Sequence, residues 1–122
     1  MTTIAVWAGV IVMGGFGAVL RFLVDRTVSK RISAAFPYGT FVVNISGAVL
    51  LGFLAGLALS PHLALLFGTA FVGSYTTFST WMLETHRLGE ERQAWPAIAN
   101  IVVSVVVGVA AAAVGMWIGA RL

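Results

Sequence analysis

The 122-residue chain contains no cysteine, which excludes disulfides, thiolate zinc sites and thiol catalysis. It holds only two histidines and four acids. Charge of either sign is scarce: 9% of residues are charged against 60% hydrophobic, and the mean hydropathy is +1.02. A soluble monomer is excluded by that balance. The net charge of +3 comes from basic residues flanking apolar stretches, as membrane anchoring requires, and no nucleic-acid surface is expected. What the sequence has instead is long uncharged runs, over residues 1–20, 32–83 and 93–120. A helix crosses ~30 Å of hydrocarbon in ~20 residues, so the middle run holds two crossings and each outer run one.

The expected organisation is therefore a single four-span, all-α membrane domain over residues 1–122, with spans at about 3–22, 38–59, 63–85 and 96–120. The first span closes on Arg21, and residues 23–37 form a charged loop, part of it an amphipathic turn through Val24, Val28 and Ile32. Pro37 breaks the chain before the second span; Ser60, Pro61 and His62 make a very short turn before the third; Pro96 lies in the first turn of the fourth. No basic residue precedes the first apolar run, so a signal peptide is not expected. Small residues recur four apart at Gly14 and Ala18, at Ala48, Gly52 and Gly56, and at Gly115 and Gly119. This spacing lets backbones approach closely, within one subunit or between two. Trp7, Trp95 and Trp117 fall near span ends, where an aromatic belt places them.

Chemistry concentrates midway along the third span, where residues 74–80 read SYTTFST, six hydroxyl side chains in seven positions. One or two such groups satisfy themselves on the carbonyl a turn back, but six in succession point all round a helix and some must face protein or water. Gly73 beside them allows a sheltered break. Continuous helical spacing puts Phe71, Ser74, Phe78 and Trp81 on one side, and Thr77, Thr80 and Glu84 on another. In the second span Asn44 is the lone amide, with Thr40 one turn earlier; it is either an interhelical tie or a pore group. Asn100 and Ser104 form a similar pair in the fourth. Arg21 and Glu84, near span ends, read most simply as solvated charges. No acid or histidine lies at mid-membrane, which disfavours proton coupling, whereas neutral donors and aromatic edges suit a small ion that sheds its water.

The runs GGFGAVLRF (14–22), PYGTFVVNISG (37–47) and GTAFVGSYTTFSTW (68–81) resemble, in order and spacing, the three motifs of the Fluc (CrcB) fluoride channel family. The resemblance covers nearly the whole chain. It implies an antiparallel dual-topology dimer in the bacterial inner (plasma) membrane, whose third spans break and cross near the midplane, and which exports fluoride passively through two narrow pores. By motif position it implies that Asn44, Phe78, Trp81, Thr77, Ser79, Thr80 and Ser104 line the fluoride pore. Arg21 would stand in the vestibule and Glu84 near the pore mouth. The backbone carbonyls of Gly73 and Thr76, with the matching pair of the partner, would hold a structural sodium ion at the dimer interface. The chain departs from the family pattern at Trp81, where a second phenylalanine is usual, and at Ser74, where the family has a second glycine. In the fourth span Gly108 and Ala112 continue the polar stripe without donors. A larger ring at 81 is expected to crowd one ring position, so that Trp81→Phe preserves or raises flux.

Six of the seven Lys and Arg residues flank the first and third loops, and only Arg121 stands on the side of the termini. The positive-inside rule then predicts one-way insertion and, as antiparallel partner, a paralogue of opposite bias, with a dual-topology homodimer as the alternative. The rival readings are a nonconducting or half-conducting subunit of a heterodimeric channel, and a small four-span drug exporter whose only candidate carboxylate is Glu84. No feature supports an enzyme.

Overall fold

A computed structural model describes residues 2–122; Met1, the first residue of the expected domain, lies outside them. The described residues fold into helices only: α1 (Thr3–Arg31), α2 (Tyr38–Gly56), α3 (Pro61–Leu63), a π-helical segment (Ala64–Val72), α4 (Gly73–Tyr75), α5 (Ser79–Glu90) and α6 (Ala94–Ala120). Three of them, α1, α2 and α6, are long and apolar enough to cross a membrane. Large apolar side chains face outward along them, Phe16 at 64% exposed and Val109 at 68%, an arrangement stable only in lipid. This is a multi-pass membrane protein.

The helix α1 corrects the expected first loop. It runs on to Arg31, so the connection shrinks from residues 23–37 to residues 32–37. Its 29 residues extend about 43 Å, more than the ~30 Å hydrocarbon core, and the charged last turns therefore project beyond it. They are held by packing: Ser29 Oγ donates to Asp25 Oδ1 at 3.2 Å, and the Asp25 and Ser29 side chains press on Gly39 at the start of α2. Elsewhere the ends shift by a few residues, with α2 stopping at Gly56 and α6 beginning at Ala94, so that Pro96 falls in its first turn.

The tightest pairing is between α2 and α6, which run parallel. A Cβ at Gly52 or Gly56 would strike the α6 backbone at Ala112 or Met116, and one at Gly115 or Gly119 would strike the α2 backbone at Val49 or Phe53. These small residues thus serve contact within the subunit, where backbone-to-backbone approach replaces the missing hydrophobic drive. The segment from α3 to α4 runs parallel to α1, with Leu66 against Gly9 and Ser74 against Gly17. Between Tyr75 and Ser79 the chain leaves helical geometry, Thr76 being extended at ψ 161°. The departure comes three residues after Gly73, whose own backbone is helical.

Candidate functional site

The interruption at residues 76–78 leaves main-chain groups without helical partners, and Asn44 supplies two of them. Its Nδ2 donates to the Thr77 carbonyl and its Oδ1 accepts from the Thr77 N–H, both at 2.8 Å. The next turn is closed locally, because Thr77 Oγ1 accepts from the Thr80 N–H at 3.2 Å and so caps the start of α5. Since the Thr77 and Thr80 N–H groups are engaged by side chains, the carbonyls of Gly73 and Thr76 receive neither of the helical hydrogen bonds that would normally satisfy them. The Val72 carbonyl, in contrast, accepts twice, from the Thr76 N–H and hydroxyl, each at 2.9 Å.

Beside the interruption lies an open groove of about 450 Å³. Asn44, Thr76, Thr77, Phe78, Trp81 and Ser104 line it together with Gly47 and Gly108. Of the expected pore residues, Ser79 and Thr80 do not line this groove. Phe78 is 69% exposed, and its ring meets Trp81 edge-on, with centroids 5.7 Å apart at 76°. Asn44 has four hydrogen-bonding sites and uses one donor and one acceptor on Thr77, which leaves a second amide hydrogen free. The Ser104 hydroxyl is buried with no protein partner.

Four placements differ from expectation. Phe71 and Ser74 do not share a face with Phe78 and Trp81, because the interruption ends the helical register: Phe71 stacks on Tyr75 at 6.2 Å, and Ser74 Oγ donates to the Phe71 carbonyl at 3.0 Å. Arg21 does not end a helix; it lies within α1 and its Nε donates to the Ser74 carbonyl at 3.3 Å. Glu84 is not a free solvated charge, since its carboxylate accepts the Thr40 hydroxyl across the α2–α5 contact. Trp81 is more than a bulky ring, for its indole N–H donates to the Asn100 carbonyl at 2.9 Å. Sequence periodicity missed the ties to Trp81 and Glu84 because each links different helices; the polar types of Thr40 and Asn100 were the only signal.

Comparison with known proteins places these residues in a family context. Residues 8–116 match the family described as CrcB-like protein, Camphor Resistance (CrcB). A protein of Mycobacterium tuberculosis (strain H37Rv) named "Fluoride-specific ion channel FluC 2" is 68% identical over 116 residues, covering 95% of this chain and 92% of that one. One of the same name from Mycolicibacterium paratuberculosis is 70% identical over 115 residues, with 94% of each chain covered. A "Fluoride-specific ion channel FluC 1" of Streptomyces avermitilis is 44% identical over 120 residues, covering 95% and 97%.

Proposed function

The chain belongs to the CrcB family, and from that premise we propose that it is a fluoride-selective channel subunit that lets the ion leave the cell passively. It is an ion channel and not an enzyme. The observation that carries the reading is the groove, where an amide hydrogen, hydroxyls and two aromatic rings meet at an interrupted helix with no ionised side chain on its wall. Fluoride gives up strong hydration on entering a pore, and neutral donors replace water without trapping the ion as a full positive charge would. Asn44, Thr77, Ser104 and the ring edges of Phe78 and Trp81 are the proposed contacts, with Ser79 and Thr80 near them. Arg21 is the proposed vestibule cation and Glu84 the group near the pore mouth.

We further propose the finer architecture. The segment from α3 to α5 is the third of four spans, broken near the midplane at residues 76–78. Two subunits pair antiparallel in the inner membrane; what supports the pairing is that one subunit leaves the groove open and Phe78 largely uncovered. The partner is either a second copy or a paralogue of opposite charge bias; the suffixes 1 and 2 in the relatives' names fit a pairing of paralogues. A half-conducting subunit is the second reading, supported by Gly108, which lines the groove without a donor.

The carbonyls of Gly73 and Thr76, which lack their helical N–H donors, fit a sodium ion completed by the same pair of a partner, because hard cations take oxygen ligands. Bound there, sodium would tie the two interruptions together. Exchange into a large organic cation is expected to inactivate the channel or lower its unfolding temperature, while Thr76→Ser is tolerated; equal flux and stability after exhaustive exchange would overturn the site. The channel reading is tested in liposomes, by a fluoride electrode, with the chain alone or with its partner. Passive fluoride release that excludes chloride is expected, and a need for an imposed proton gradient, or equal chloride flux, defeats it.

A further inference from the structure

Trp81 and Asn100 hold each other in two directions. The Trp81 indole N–H donates to the Asn100 main-chain carbonyl at 2.9 Å, and the Asn100 side-chain amide donates back to the Trp81 main-chain carbonyl at 3.3 Å and to Thr85 Oγ1 at 2.8 Å. Thr85 Oγ1 in turn donates to the same Trp81 carbonyl at 2.9 Å. Asn100 is 0% exposed, and its Oδ1 has no protein partner. Exchanging the amide's oxygen and nitrogen would set an oxygen against the Trp81 carbonyl oxygen and forfeit a bond, so donors toward α5 are the satisfied arrangement.

We infer that Asn100 is the positioning residue of the aromatic pair: its main-chain carbonyl ties back the Trp81 indole N–H and its side-chain amide ties the Trp81 main chain, so that Trp81 offers the groove its ring and not its donor, in a fixed edge-on relation to Phe78. The inference rests on the proposed channel function and deepens it. A phenylalanine at 81 has no N–H to engage the Asn100 carbonyl, and its ring would turn about its side-chain torsions. An indole that swung free would bring a hydrogen-bond donor to the groove wall and give a passing anion a place to dwell. The larger ring is accommodated because its N–H is anchored away from the groove, on the Asn100 carbonyl of α6. This reverses the expectation that Trp81→Phe preserves or raises flux.

The test replaces the donor without the shape. Trp81 is exchanged for benzothienylalanine, in which sulfur stands where the indole N–H was, beside Trp81→Phe and Asn100→Ala. Each is purified as the folded assembly and assayed for fluoride and chloride flux. A second arm follows Trp81 fluorescence anisotropy in a background of Trp7→Phe, Trp95→Phe and Trp117→Phe, with and without Asn100→Ala. Fluoride flux per folded assembly is expected to fall about fivefold with benzothienylalanine and with Trp81→Phe, the order of one net hydrogen bond, with relatively more chloride leak. Anisotropy is expected to fall in Asn100→Ala, which keeps the carbonyl that receives the indole N–H but releases the Trp81 main chain and Thr85 from the side-chain amide. Parental flux and selectivity with benzothienylalanine, or unchanged anisotropy in Asn100→Ala, overturns the inference. If the parent moves no fluoride, the channel reading fails, and the anisotropy arm still decides whether the Asn100 side-chain amide steadies Trp81.

Discussion

Asn44 illustrates how one side chain joins structure and chemistry at the residue scale. A polar amide in a membrane helix needs partners, and the Thr77 N–H and carbonyl, stranded where the helix stops, need them equally. The pairing leaves one amide hydrogen over. Asn44→Ala would therefore do two separable things. It strands two part-buried main-chain groups, a loss toward the lower end of the ~1–3 kcal/mol of a fully buried one for each, so the unfolding temperature in detergent is expected to drop. It also removes the proposed pore donor, so fluoride flux per folded assembly is expected to fall severely. A variant that loses stability but conducts normally would make Asn44 purely a tie.

At the scale of elements, the parallel α2–α6 pair is the rigid wall on which the groove is built. Small residues on each helix receive the other's main chain: a Cβ at Gly115 would lie 2.9 Å from the Phe53 nitrogen and closer still to the Val49 carbonyl oxygen. Backbone atoms do not yield as a flexible side chain does. Gly115→Val is accordingly expected to destabilise the protein by about 1–3 kcal/mol, the usual range for overpacking, and to lower flux by displacing α6 and with it Ser104. Gly15→Ala is the control, since a Cβ there meets nothing within 4 Å. Equal thermal midpoints for the two variants would show that the helices are not in close contact. The segment from α3 to α5 is built the other way, as π-helical turns, a short α-helical stretch and an interruption, with side chains from α1 and α2 holding its loose main-chain groups. Irregular backbone of this kind is tolerated at membrane depth only where protein or a water-filled cavity shelters it.

At the scale of the whole molecule, the charge distribution bears on insertion. Arg26, Lys30 and Arg31 lie on the projecting end of α1, Arg87 and Arg92 at the end of α5 and the turn after it, and Arg121 alone at the end of α6. The positive-inside rule favours the orientation that keeps the first group cytoplasmic. Expressed alone in cells, the chain is expected to insert mainly one way, with the α1–α2 and α5–α6 connections inside and both termini outside. Accessibility of single cysteines placed in the α5–α6 turn and at the C-terminus reads this directly. Equal labelling of each site from both faces would favour dual topology and a homodimer.

The membrane and the helical class were fixed by composition alone, since lipid admits long apolar helices and penalises charge wherever they run. Hydropathy also located the polar positions that meet at the groove and the interruption, because hydroxyls and an amide stand out against an apolar background: the SYTTFST run, Asn44 and Ser104 were all legible. Which partners those groups take was decided by the tertiary structure. Asn44 meets Thr77 across 33 residues, Thr40 meets Glu84 across 44, and Trp81 meets Asn100 across 19. Periodicity reports only neighbours on one helix, and glycine's flexibility alone pointed to Gly73 as the place where a break is allowed. The interruption falls at Thr76 because Asn44 and the Thr77 side chain there replace the main-chain bonds that the helix gives up.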